Sequence, residues 1–563
     1  MQKIASNLDA LKDHYEVVVV GSGYGGGVAA ARLARLGREV CVLERGREIV
    51  PGEYPDTLVE LLKEVQTDTL LGHIGSSTAL FDVRYNPEIN VIVGCGLGGT
   101  SLINAGICMA PDARVLQDAS WPEVLRTETW QTYFTRAEQM LTPSCYPESY
   151  PRLAKYATLQ NAAARLNLHV EPATIAVTFE DGPNSAGVEQ RACIGCGDCV
   201  TGCNYHAKNT VLMNYLPDAV HHGATIFTQV KVLSVERAGE GWQLHCHAVQ
   251  ADADSISTRT FSIAADVVVL AAGTLGSSEI LLRSAQRGLP LSERVGQRFS
   301  GNGDMVGFAY NNDCEINGVG RGGAVLTDTT PPGPCSNGVI RFTDANDIDE
   351  EGVLEDGVVP SALAAFLPAL FTAGAKLTGV DTDFGLTDKL HELARELRSN
   401  LLGAQQGAAH NTLFMVAAGH DTAGGTLYLD NDRLRARWPD AGKQPQIERA
   451  HQRMHAITQT LGGTYIKNPA WNALTHHSVL SGHPLGGCCM ADDARDGVVN
   501  HRGQVYVGKQ GDAVYPTLLV MDGAVIPRSL GANPLMTITA LAERNVELLA
   551  MQRGWESGGA AKL

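Results

Sequence analysis

The feature that most constrains this chain is the stretch from Tyr15 to Glu44, YEVVVVGSGYGGGVAAARLARLGREVCVLE. Val17 to Val20 form a short apolar, β-branched run, the pattern of a strand buried on both faces. In the glycine turn that follows, Gly21, Gly23 and Gly26 fit G-x-G-x-x-G. The first glycine allows the tight turn, the second lets the backbone approach a pyrophosphate, and the third lets helix and strand pack closely. Ala29 to Leu36 then supply a helix whose free N-terminal amides and positive dipole end face the phosphates. A second strand, Val40 to Leu43, ends on Glu44, whose carboxylate can accept hydrogen bonds from ribose hydroxyls. Strand, glycines, helix, strand and acid in that order specify a dinucleotide site, and leave FAD and NAD both open.

At 563 residues the chain exceeds what a single core organises, so two or more domains are expected. A net charge of −17 without any Lys/Arg-rich tract argues against nucleic acid as a partner. Met1 to His14 carries Asp9 and Asp13 in place of a basic start and an apolar run. Neither a secretory signal nor a transmembrane helix is expected, and the chain reads as cytoplasmic. Thirteen cysteines are too few for a disulfide scaffold at this length.

Periodicity is lost after Glu44 and returns at Asn90, where Val91 to Val93 lead into a second glycine-rich loop, GCGLGGTSLINAG, Gly94 to Gly106. Alone, this loop is either a strand-to-helix turn or a place where backbone approaches a flat or charged ligand. The N-terminal fingerprint, GLGGTSLINAG, a late GHPLGG and NPLMTITALAERN together resemble the glucose-methanol-choline flavoprotein oxidoreductases, and within them the cholesterol-oxidase-like branch. The matches run from Val17 to Glu547. This resemblance implies an α/β fold with a Rossmann-type FAD-binding domain in three segments, 14–112, 215–310 and 481–555. Residues 311–480 would form an α+β substrate-binding domain on an antiparallel sheet, and 113–214 a helical cover. It further implies that the dinucleotide is FAD and that Gly98, Gly99, Ser101 and Asn104 belong to its site, with Asn104 against the flavin. Some relatives attach FAD through a histidine near this loop. Residues 90–110 contain none, so non-covalent binding is expected.

Within the cover, residues 191–210 read RACIGCGDCVTGCNYHAKNT. Cys193, Cys196, Cys199 and Cys203 form C-x2-C-x2-C-x3-C, the spacing by which a ferredoxin loop wraps a [4Fe–4S] cluster. Only one such run exists, and Asn204 stands where proline follows the fourth cysteine of a ferredoxin. Four close thiolates also suit tetrahedral zinc, although the three tightly spaced cysteines favour iron. Four reduced thiols in a glycine-rich loop, with no metal, is the third alternative. Similar segments ending in C-x-x-x-A-K-N-T occur in some relatives of the family, which implies a shared structural role.

Thr225 to Ser234 and Gly241 to Val249 alternate as strands, and Val267 to Leu270 run into Ala271-Ala272-Gly273. The resemblance places Gly273 at the cofactor; a plain helix start explains it equally. Ala362 to Leu377 is almost wholly apolar, yet too short and too interrupted by Pro368 and Gly374 to span a bilayer. It is expected to be a buried helix, or else the lining or lid of an apolar substrate cavity.

His483, between Gly482 and Pro484, is fixed by a rigid loop, and alone would be an ordinary surface or core histidine. The family motif implies catalysis by His483 with Asn533 as its polar partner. It also implies that Asp522 and Gly523 lie by the flavin's ribityl and phosphate portion. Asn533 also reads as a helix N-cap, and Pro534 suits the first helical position, where the helix N-terminus can stabilise the reduced flavin. The implied reaction binds an alcohol hydroxyl at His483 and Asn533, passes its proton to a base and sends the carbon-bound hydrogen as hydride to flavin N5. In the cholesterol-oxidase branch a substrate-domain glutamate is also implicated; Glu350, Glu351 and Glu355 are the candidates. The expected substrate is a hydrophobic, sterol-like or cyclic alcohol. The acceptor is oxygen, a quinone or a carrier protein. The alternative is a lyase of the same fold, with no net redox chemistry.

Overall fold

A computed structural model describes residues 1–249, 259–323, 330–383, 385–468, 471–472, 475 and 477–555. The valine run is the centre of its first sheet. β1 (His14–Val20) pairs in parallel with β2 (Val40–Leu43) on one side and with Arg259–Leu270 on the other, so that Val18 stands between Cys41 and Val268. Thr225–Phe227 extends the sheet beyond β2, and Val514–Val520 extends it beyond Arg259–Leu270, both in parallel. Val17, Val18 and Val19 are fully buried, as a run without polar alternation requires. The outer half of Arg259–Leu270 pairs with Gly241–Ala248, and that strand with Val230–Ala238, both antiparallel.

The first helix, α1 (Tyr24–Arg35), begins five residues before the expected Ala29. Glycine is a poor helix former, so the pattern alone starts the helix at the alanines. Packing overrides propensity here. A Cβ on Gly25 would lie 1.5 Å from the Met521 carbonyl oxygen, and one on Gly26 would lie 2.1 Å from that of Gly21. The helix reaches the sheet only because Gly25 and Gly26 in its first turn carry no side chains. It packs against Leu535–Arg553 and Tyr215–His221.

A second, seven-stranded sheet is antiparallel throughout. Its order is Val380–Asp381, Thr464–Lys467, Met305–Tyr310, Leu413–Gly419, Gly352–Gly357, Gly338–Phe342 and Glu171–Pro172. Met305–Tyr310 thus lies inside this sheet, whereas the expected segment 215–310 places it in the FAD-binding domain. Its alternation of buried and half-buried residues is that of a sheet with one packed face. Glu171–Pro172, from the cover, closes one edge. In a third sheet Val479–Ser481 runs parallel to Ile89–Gly94, which brings the His483 loop beside the second glycine loop.

The apolar stretch 362–377 is not an ordinary buried helix. Leu367–Thr378 buries Leu367, Pro368 and Phe371, while Leu370 and Leu377 are 47% and 83% exposed. It packs on Leu386–Leu402, an amphipathic helix with exposed Leu390, Leu393, Leu397 and Leu401. Among the described residues no helix is long and apolar enough to cross a membrane.

Candidate active site

The two glycine loops meet. Gly21 has φ +96°, and a Cβ there would lie 2.3 Å from the Ala271 carbonyl oxygen; a Cβ on Gly99, at φ +57°, would lie 2.9 Å from the Gly23 Cα. Only glycine tolerates both the left-handed backbone and the approach. Ser22 ties the loops together: its hydroxyl donates to Glu44 (2.6 Å) and accepts the Gly98 N–H (2.9 Å). Glu44, at the end of β2, also accepts the backbone N–H groups of Ser22 (3.2 Å) and Gly46 (2.7 Å). Three donors leave a lone-pair position of the carboxylate free. Burial raises its pKa, opposed by these hydrogen bonds. Ser101 is buried and spends its hydroxyl on the Gly98 carbonyl (2.6 Å) and the Val211 N–H (3.0 Å), so it shapes the loop from within.

Asn104 donates its amide to the Tyr24 hydroxyl (2.7 Å), and its own side-chain oxygen is buried without a protein partner. Tyr24, the first residue of α1, carried no sequence signal as a site residue. Asp522 joins the ends of two strands: one oxygen accepts the Gly273 N–H (3.0 Å) and the Ser277 hydroxyl (2.5 Å), the other the Ala524 N–H (2.8 Å). Burial lifts its pKa to about 6 against those bonds. Gly523 begins the short turn that follows, and a Cβ there would sit 3.0 Å from the Thr274 hydroxyl.

A Cβ built on Gly23, Gly273 or Gly482 meets no protein atom within 4 Å, so these three backbones border open space. One side-chain oxygen of each of Asn104, Asn533, Thr537 and Glu355 is buried without a protein partner. Buried polar atoms are almost always satisfied, so an array of unpaired ones beside open glycine backbone fits a polar, planar ligand bound across both loops. The residues present therefore fit a flavin dinucleotide.

His483 follows the strand Val479–Ser481. Its Nδ1 lies 2.8 Å from Asp304 Oδ1, while Asp304 Oδ2 accepts the backbone N–H groups of Gly482 (2.9 Å) and His483 (3.0 Å). Nδ1 so engaged, Nε2 is the nitrogen left for a substrate. Burial disfavours the imidazolium, but the charge and hydrogen bond of Asp304, with Glu355 beyond, hold the His483 pKa above its ordinary value. Asp304 lies 179 residues from His483, and no spacing motif links them.

The three candidate glutamates separate clearly. Glu350 pairs with Arg449 (3.0 Å), and Glu351 is bound to Arg114 and the Asp344 N–H. Glu355, on Gly352–Gly357, is buried and keeps an unpaired oxygen. Burial pushes its pKa up to about 7, partly offset by His483 and by a hydrogen bond from Asn533. Asn533 does not cap the last helix. That helix starts at Leu535, one position later than expected, with Pro534 itself at the N-cap, and Asn533 makes no capping bond. Its loop is fixed by Asn302, which donates to the Ala532 carbonyl (2.9 Å) and accepts the Leu530 N–H (2.8 Å).

The profile of the GMC oxidoreductases matches residues 17–301 and 431–542. The chain belongs to this family. Among its relatives a cholesterol oxidase of Mycobacterium tuberculosis is 28% identical over 96% of this chain and 91% of its own length. A long-chain-alcohol oxidase of Arabidopsis thaliana is 24% identical over 94% of this chain and 66% of its own. A pyridoxine 4-oxidase structure superposes with a TM-score of 0.60 at 16% identity, over 97% of this chain and 100% of that one, a likeness of fold alone. This GMC oxidoreductase is thus an FAD-dependent enzyme acting on CH–OH groups.

Proposed function

We propose that this GMC oxidoreductase oxidises a hydrophobic, sterol-like or cyclic alcohol to the carbonyl compound. One observation carries the substrate class. Glu355, Val416 and Val306 stand in register across three strands of the antiparallel sheet, followed by Phe414 opposite Phe308. Side chains in register share a face. On this face Val306, Phe308, Phe414 and Val416 are only half-buried, whereas Met305, Ala309, Leu413 and Met415 on the opposite face are fully packed. The Phe308 and Phe414 rings stack at 5.1 Å. An incompletely covered apolar surface ending on a carboxylate suits an alcohol with a large apolar body.

FAD would be held non-covalently by Gly21, Gly23, Gly26, Glu44, Gly98, Gly99, Asn104, Gly273 and Gly523, and when bound supplies the hydride acceptor. The protein's part is positioning and proton transfer. His483 Nε2 and the Asn533 amide would hold the substrate oxygen, and Glu355, ionised above about pH 7, would accept the hydroxyl proton. All thirteen cysteines are free, which suits a cytoplasmic setting.

The test is anaerobic mixing of the FAD-loaded enzyme with linear long-chain, cyclic and 3-hydroxysteroid alcohols while flavin absorbance is followed. Bleaching by cyclic and steroid alcohols is expected. Bleaching only by linear alcohols overturns the substrate class, and a flavin that stays oxidised with all of them overturns the reaction.

A further inference from the structure

The four cysteines of the run 193–203 line a single cavity, together with Ile194 and Lys208. Cys203, which Asn204 follows where a ferredoxin has proline, faces the same space as the other three. Cys196 and Cys199 are buried, Cys193 and Cys203 half-buried.

The loop that carries them is fixed in place. The Asn204 side chain accepts the N–H groups of Gly52 (2.9 Å) and Tyr54 (3.0 Å) and donates to the Tyr54 carbonyl (3.0 Å). Asp198 accepts the backbone N–H (2.7 Å) and hydroxyl (2.8 Å) of Ser361. A Cβ on Gly197 would lie 2.7 Å from Val358, so the loop is also packed against the chain behind it. Two backbone N–H groups point at sulfur: Gly195 at Cys193 Sγ and Cys335 at Cys199 Sγ, each at 3.4 Å. Such bonds stabilise thiolates over thiols and tune a metal–sulfur centre.

The sulfur spacing does not suit zinc. Tetrahedral zinc at about 2.3 Å from each thiolate draws the sulfurs to about 3.8 Å from one another. Among the described residues no three of these sulfurs lie mutually within 4.8 Å. A cube of four irons and four sulfides, each iron taking one thiolate, holds its ligands farther apart and fills the space between them.

Lys208 gives the cavity a neighbour. Its ammonium donates to the carbonyls of Leu102 (3.2 Å), Asn104 (2.5 Å) and Cys199 (3.0 Å). One buried cation therefore joins the cysteine loop to the glycine loop that carries Asn104, and lies beside the negative charge that four thiolates bring. On another wall Ile194 is 43% exposed.

We propose that Cys193, Cys196, Cys199 and Cys203 bind a [4Fe–4S] cluster in this cavity, between the flavin loop and the surface at Ile194. Each alcohol oxidised leaves two electrons on the flavin; they depart singly through the cluster to an external one-electron carrier protein, and the flavin's proton goes to solvent.

The site does not depend on which alcohol is oxidised, and its test reads metal content. The full chain is purified without air and assayed for iron, acid-labile sulfide and FAD. About four irons and four sulfides per chain are expected, with an electron-paramagnetic signal on dithionite reduction. Cys196→Ala and Cys199→Ala should each lower iron at least tenfold while FAD content and anaerobic bleaching by alcohol persist. Cys335→Ala, whose sulfur turns to the Val358 carbonyl at 3.9 Å, should keep full iron. If the first two variants fail to fold, wild-type stoichiometry and signal decide alone. FAD-loaded wild type below about one tenth of that iron, as purified and after reconstitution with ferrous iron and sulfide, overturns the proposal. So does one zinc per chain without sulfide.

Discussion

His483 Nδ1 and Asp304 Oδ1 lie 2.8 Å apart, and the other oxygen of Asp304 holds the backbone on which His483 sits. One buried carboxylate thus sets the ring's tautomer, its charge and the path of its loop. Asp304→Asn keeps the shape but removes the charge that opposes burial, so the His483 pKa falls and Nε2 loses its bias toward donation. Flavin reduction in anaerobic stopped flow should slow by about 10- to 100-fold, with a smaller change in substrate Kd. The titration of the His483 ring, followed by NMR, should shift to lower pH. A rate within twofold of wild type would remove Asp304 from the mechanism.

Glu355 accepts a proton only when ionised, and burial lifts its pKa to about 7. The rate of flavin reduction should therefore fall with slope one on the acid side of about pH 7. In Glu355→Gln that limb should vanish, and the plateau should drop by about 100-fold or more. An unchanged acid limb in the variant would mean that another group titrates.

The same residue has a thermodynamic signature. Its folded pKa lies above the unfolded value of about 4.5, so the fold favours the neutral acid. Its stabilising contribution is complete below about pH 4.5 and lost as pH rises through about 7. The shift corresponds to a difference on the order of 3 kcal/mol. Glu355→Gln, which stays neutral, should gain stability relative to wild type between pH 5 and pH 8, read as the difference in Tm. A constant difference across that range would place the carboxyl in water.

How much of this was legible in the sequence follows from which interactions are local. The dinucleotide turn was readable because strand, glycines, helix and acid are contiguous and each has its own physical requirement. Gly99 against Gly23 was half-readable: both loops were glycine-rich, yet nothing local says that they touch. Asp304 was invisible, since its partner is 179 residues away and a lone acid before a strand has many explanations. Nothing local tells Glu355 from Glu350 and Glu351; what separates them is that the other two hold arginines while Glu355 is buried with an unpaired oxygen. The helix at 367–378 misled because composition reports apolarity but not whether anything covers it.

Two glycines of one motif should fail differently when given a methyl group. A Cβ on Gly26 would lie 2.1 Å from the Gly21 carbonyl oxygen, so Gly26→Ala must push α1 off the sheet and should lower soluble expression and Tm sharply. A Cβ on Gly23 meets nothing within 4 Å, so Gly23→Ala should leave an intact apoprotein. Its methyl would instead occupy the space open to the pyrophosphate, and FAD affinity should fall at least about tenfold. FAD retained by folded Gly23→Ala at wild-type affinity would place the phosphates elsewhere.

Beside Glu355 the chain buries a complete ion pair. Lys155 Nζ lies 2.9 Å from Asp356, both side chains wholly inaccessible, and also donates to the carbonyls of Pro334 and Cys335, each at 2.9 Å. Asp356 in turn accepts the N–H groups of Asn337 and Gly338, each at 2.7 Å. Adjacent strand residues point to opposite faces, so this pair anchors the back of the strand whose front presents Glu355. Removing one partner leaves an uncompensated buried charge, and Lys155→Met should cost about 3–5 kcal/mol. Because Asp356 keeps its backbone donors, Lys155→Met combined with Asp356→Asn should recover part of that loss. Chemical denaturation of the holoenzymes measures both. If the double variant is no more stable than Lys155→Met, the lost stability comes from lysine packing against Pro334 and Cys335, and charge compensation is not what holds the strand.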